Sequence, residues 1–93
     1  MTEIDVVLKS IPEAVAPSVS KSLLDIILKS KNAPSLPSSL ARQILGLYHD
    51  DLLSSKEGFK VLMEASVFLE KDKTAEKLQE LNLNEAATNI RGA

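Results

Sequence analysis

The run of side chains best suited to chemistry in this chain is Tyr48-His49-Asp50-Asp51, which holds its single histidine and its single tyrosine. An imidazole oriented by a carboxylate is the arrangement of a general base. On a helix, successive residues point about 100° apart, so Asp50 is expected to turn away from His49. The positions that share the His49 face are Arg42, Gly46 and Leu53, and none of them orients an imidazole. No serine stands three or four residues from His49. The expectation is a solvated histidine near a helix C-terminus, where positive charge is mildly favoured.

Metal and phosphate chemistry fare no better. A calcium loop begun at Asp50 would place its next ligands at Leu52, Ser54 and Lys56; begun at Asp51, its sixth position is Lys56 where glycine is required. There is no cysteine and no second histidine. Gly46, Gly58 and Gly92 lie too far apart to build a phosphate cradle. Glu57, Glu64, Glu70, Glu76 and Glu80 read as separate solvated carboxylates, not as a pair whose pKa values are split by proximity and burial. The expectation is no catalytic residue, no cofactor and no metal: the chain is not read as an enzyme.

Charge narrows the partners. Eleven Lys and Arg stand against thirteen Asp and Glu, a net charge of −2. Nucleic-acid binders usually show a basic balance or stripe, and their bidentate contacts lean on arginine. Here the arginines are Arg42 and Arg91 alone. Leu40 to Gly46 has a faint likeness to the first helix of a helix-turn-helix, but Gly46 falls inside the helical pattern instead of in the turn. Direct nucleic-acid binding is not expected. The N-terminus is acidic, with no basic-then-apolar leader, and the apolar runs, such as Ile26-Ile27-Leu28, are far too short to cross a membrane. A soluble cytoplasmic protein is expected.

The elements that would carry any site are helices. Hydrophobic residues make up 44% of 93 residues, mostly aliphatics at helical spacing, and no segment alternates long enough for a strand. The spacing predicts a single all-α domain over 1–93, a compact bundle of four to five short helices. The first runs from about Thr2, its N-cap, to Ile11, with Ile4, Val7, Leu8 and Ile11 inward. Ser10-Ile11-Pro12-Glu13 reads as a capping box with a kink at Pro12 and a short turn to Ala16. The second, about Ser18 to Lys31, is apolar on most sides and is expected to be central, with Ile27 near the middle of the core. Asn32 is expected to end it in the left-handed conformation, before a loop over 32–37 punctuated by Pro34 and Pro37.

The third helix is predicted from Pro37 or Ser38 to about Leu53, with Leu40, Ala41, Ile44, Leu45, Leu47, Tyr48 and Leu52 on its apolar face. Ser54 and Glu57 read as the capping box of the fourth, which runs to about Lys71. Asp72-Lys73-Thr74 is read as the next break, with Thr74 as N-cap of a fifth helix carrying Ala75, Leu78 and Leu81. The two helices from Ser55 to Leu83 loosely resemble one unit of a helical-repeat array, but no repeat runs through the chain. Leu83, Ala86, Ala87 and Ile90 keep helical spacing on a rotated face, with Asn82 and Asn84 at the shift. The tail 91–93 is expected to fray.

Four or five short helices in so small a volume cannot hide every large aliphatic, and apolar strips left exposed mark partner sites. The expected role is therefore non-catalytic, through contact with a protein partner or self-association. Leu83, Ala86, Ala87 and Ile90 are the expected contact residues. The alternatives are an accessory role in a nucleic-acid-handling complex and carriage of a small apolar ligand between helices. No residue pattern here resembles that of a known family.

Overall fold

The computed structural model describes residues 3–92. Among them are six α-helices and two 3-10 turns, with no strand. The fold is all-α, as the spacing predicts. Thr2 as an N-cap and the fraying of Ala93 lie outside the described residues.

Helix α1 (Glu3–Lys9) buries Val7, and Ile11 just beyond it is buried too. The chain leaves the helix because Ser10 donates its hydroxyl back to the Val6 and Val7 carbonyls. That overturns the expected capping box. Ser10 closes α1, and Pro12 opens a 3-10 turn (Glu13–Val15) with no side-chain cap. Helix α2 (Ala16–Lys29) starts with Pro17 in its first turn, where a missing N–H costs nothing. Val19, Ser20, Leu23 and Ile27 form its buried face. Leu28 is 74% exposed, so α2 is not the central helix. Its end is also not left-handed: Asn32 sits at φ −90°, and the chain turns through a 3-10 segment (Ala33–Ser35).

Helix α3 (Ser38–His49) is the outlier, since none of its residues is buried. It stops four residues before the predicted end. Asp51 takes φ 57°, the Leu52 amide donates to the Leu47 carbonyl at 2.7 Å, and the Asp51 amide donates to Tyr48 at 3.1 Å. This left-handed closure satisfies carbonyls that the helix end would otherwise orphan. The end of α5 repeats it: Asn82 takes φ 63°, and the Leu83 and Asn82 amides reach Leu78 and Gln79. Asp and Asn are the residues that tolerate this conformation without being glycine.

Helix α4 (Lys56–Leu69) occupies the centre. It buries Gly58, Phe59, Val61, Leu62, Met63, Ala65, Ser66 and Leu69, which leaves Lys56, Glu57, Lys60 and Phe68 as its exposed residues. Its N-cap is Ser55, one residue later than predicted, whose Oγ accepts from the Gly58 amide at 3.0 Å. The loop from α3 crosses directly over Gly58. A Cβ there would collide with the Leu52 carbonyl oxygen and stand 2.5 Å from that of Leu53.

Helix α5 (Lys71–Glu80) follows a sharp break at Glu70, φ −142° and ψ 69°. Thr74 is not an N-cap. It lies buried inside α5 and donates to the Glu70 carbonyl, so its oxygen accepts from Ser66 at 2.6 Å. Helix α6 (Asn84–Arg91) packs on α5 and on α1, so the two ends of the chain close the bundle against each other. One core cluster runs through Val7, Leu23, Leu62, Leu78 and Ile90.

Two substitutions test this packing from opposite sides. Gly58→Ala forces the loop carbonyls away and is expected to cost about 1–3 kcal/mol. Ser20 is buried and its hydroxyl has no partner among the described residues, so Ser20→Ala is expected to add about 0.5–1.5 kcal/mol. Denaturant midpoints moving the other way would contradict the placement of α4 under the 50–55 loop or of α2 on the core.

Candidate functional site

Four places were singled out by residue chemistry or surface. The first is the Tyr48–Asp51 run. His49 is the last residue of α3 and its side chain is 89% exposed. Contrary to expectation, Asp50 does approach it, with Oδ1 at 3.4 Å from Nδ1, because Asp50 has already left the helix. Both groups stand in solvent. Among the described residues, no group of three His, Asp or Glu side chains could hold a metal ion.

The second is Glu70, which was expected to be an ordinary solvated carboxylate and is not. At the break between α4 and α5 its Oε2 accepts from the Ser30 hydroxyl at 2.5 Å and from Asn32 Nδ2 at 3.1 Å. Asn32 Nδ2 also reaches the Leu69 carbonyl, and the Asn32 amide donates to Ser30 Oγ at 3.0 Å. Lys73 lies one turn further on, 3.8 Å from Oε1. The Ser30 hydrogen bond, the Lys73 charge and the Asn32 amide together hold the carboxyl below its ordinary pKa, against partial burial, which raises it. Such a carboxylate stays ionised at neutral pH, which suits a latch between the ends of α2 and α4 and not a proton-transfer group. The 3.6-residue period gives no sign of it, because its partners come from a loop some 40 residues away.

The third is an open groove of about 1380 Å³ between α1, the first 3-10 turn and the first half of α4. Carboxylates (Asp5, Glu13, Glu57, Glu64) and ammonium groups (Lys9, Lys56, Lys60) share its walls, and Lys60 lies 3.9 Å from Asp5 across it. Leu8, Ile11, Ala16, Pro17, Phe59 and Val61 also line it, so apolar and charged side chains share one open wall.

The fourth is the apolar surface. The stripe expected to be most available is not exposed. Ala86, Ala87 and Ile90 are at most 1% exposed, and Leu83 is half-buried against the core. Their face is covered by α1, from the opposite end of the chain. The exposed large apolar side chains are elsewhere: Val6, Val15, Leu28, Phe68 and Leu81 lie on other elements, and Leu45, Tyr48 and Leu52 lie along α3 and its closure. Leu45 is 66% and Tyr48 70% exposed, one turn apart on one face, and Leu52 at the helix closure is 46% exposed. Leu40, Ile44 and Leu47 are half-buried, with Ile44 packed against the core. Helix α3 therefore has two apolar faces. The sequence shows both, at 40, 44, 47 and at 41, 45, 48, but taken as one wide arc they look like a single inward side.

Comparison with protein-family models, with curated proteins and with solved structures finds no match to this chain. Among the described residues, no helix is long and apolar enough to cross a membrane.

The Glu70 latch makes a prediction about acid. Its lowered pKa means that its contribution is fully present above the ordinary value of 4.5 and is lost as pH falls through the lower, folded-state value. Glu70→Gln is expected to lower the denaturant midpoint at about pH 7, with the deficit shrinking at about pH 3. A deficit of equal size at both would show that the charge is not part of the latch.

Proposed function

We propose that this protein is a non-catalytic contact protein, acting in the cytoplasm, that engages another apolar helix along the outer face of α3. The observation that carries the reading is the exposure of Leu45 and Tyr48 on a helix that already has a separate inner face against the body. Burying two such side chains is worth about 3–5 kcal/mol before the costs of association. Tyrosine is among the residues that anchor interfaces. A helix lying along a helix also needs little ordering on this side, since α3 is held at both ends, by Pro37 and by the closure at Asp51.

Charge argues against the nucleic-acid alternative. Helix α3 has Arg42 as its sole lysine or arginine and runs into Asp50 and Asp51, where a phosphate backbone would be repelled. The carrier alternative would use the groove between α1 and α4, whose wall mixes apolar side chains with seven charged ones.

Because both side chains are outside the core, Leu45→Ser with Tyr48→Ser is expected to leave thermal stability within about 1 kcal/mol of the parent. A photo-crosslinking residue at Leu45, in the full chain in its native cell, is expected to capture a discrete species. The same residue at Glu76, exposed on α5, is expected to capture none. No capture at Leu45, or equal capture at both positions, would contradict α3 as the contact face.

A further inference from the structure

We propose that α3 is a strap that unfolds from α4 and refolds onto it while the other helices stay in place. This motion is a property of the chain alone, whatever the outer face of α3 engages. Among the described residues, α3 is the one α-helix with no buried side chain. Its inner side rests on Leu40, Ala41, Ile44 and Leu47, all half-buried, and of these only Ile44 packs against the core cluster. The other helices that lie on α4 are also tied to it by polar groups. Asp5 of α1 lies 3.9 Å from Lys60, the end of α2 gives the Ser30 hydroxyl to Glu70 at the end of α4, and Thr74 of α5 is bonded to Ser66. Among the described residues, no hydrogen bond or ion pair joins α3 to α4. Gln43 donates to the Ser39 carbonyl of its own helix, and His49 approaches Asp50.

The chain itself marks the ends of the strap. Leu36 and Leu53 pack against the core cluster, and the Leu52 and Leu53 carbonyls lie over Gly58, so residues 37–51 hang between two fixed points. At the first end, Pro37 stands at the N-cap with no side-chain cap, which leaves the opening amides of α3 to solvent. At the second, Asp51 holds a left-handed φ of 57°, which a residue other than glycine adopts at a cost. A helix of 12 residues is marginal in water on its own. Once Ile44 is withdrawn, little remains to keep α3 helical, so detachment and melting are one event. Segments with few buried apolar contacts are the ones that open without global unfolding. Gln43 also lines the groove beside α1, so the strap forms part of that groove's rim, and each opening removes it.

Native-state hydrogen exchange of the dilute full chain, read by NMR at urea concentrations below the unfolding midpoint, tests this. After correction for intrinsic rates, the amides of residues 44–48 are expected to exchange at least about a hundredfold faster than those of residues 62–66, with a weak dependence on urea. They are also expected to exchange at least about tenfold slower than in an unstructured chain, because α3 is formed most of the time. Amides of residues 44–48 that join residues 62–66 in a single urea-dependent isotherm would overturn the proposal, and so would a complete lack of protection in α3. Gly46→Pro checks the same motion from the other side. Proline removes an amide that the helix uses and clashes with the preceding turn, whereas a Cβ at Gly46 meets nothing within 4 Å, so the change strikes α3 alone. That variant is expected to keep residues 62–66 protected and to unfold cooperatively in urea at a lower midpoint. A Gly46→Pro chain with no cooperative transition would place α3 inside the central folding unit and overturn the proposal.

Discussion

In a chain this small, one helix can be surrounded and the rest must share what surface remains. Here that helix is α4. Leu62, Met63, Ala65 and Ser66 have no exposure at all, and α1, α2, α3 and α5 all lie against it. Enclosure on that scale requires close approach from every side, which explains Gly58 under the carbonyls of the 50–55 loop. It also explains Ser66 and Thr74, two hydroxyls that satisfy each other where no water reaches. Once α4 takes the centre, α2 can bury only one face, and α3 is left outside with a second apolar face in the water.

The ends of the helices hold this arrangement in register. Two left-handed closures, at Asp51 and Asn82, turn the chain tightly enough for α3 to lie back on α4 and for α6 to lie back on α5. The carboxylate of Glu70 does the same work across space, tying the end of α2 to the end of α4. Charge-assisted hydrogen bonds are stronger than neutral ones, so a single acidic residue at a break can fix the relation of three segments.

Much of the fold was legible from spacing alone. Ile4, Val7 and Leu8, or Ala75 and Leu78, fall on helical faces because a 3.6-residue period is a local property, and Pro17 and Pro37 mark helix starts for equally local reasons. Ser54 against Ser55 as the cap of α4 is a one-residue question decided by which hydroxyl reaches the Gly58 amide. What spacing cannot show is which apolar face finds a partner. Leu23, Leu24, Ile26, Ile27 and Leu28 look like the most enclosed run in the chain, yet α4, with Lys60 and Glu64 in its pattern, is the helix the others surround. Ile90 looks like the loosest residue and is among the most buried, because α1 arrives from the far end of the chain to cover it. Leu45 and Tyr48 look like core and are not, because no element remains to cover them.

The position of Tyr48 decides whether α3 lies outside the core. It is the single tyrosine of a chain with no tryptophan, so intrinsic fluorescence reports that one side chain. Acrylamide quenching of the dilute, folded protein is the measurement. With α3's second face in the water, Tyr48 should be quenched nearly as readily as in the urea-unfolded chain. Strong protection of Tyr48 in the dilute folded protein would mean that this face is turned into the core, and the outlying position of α3 would be wrong.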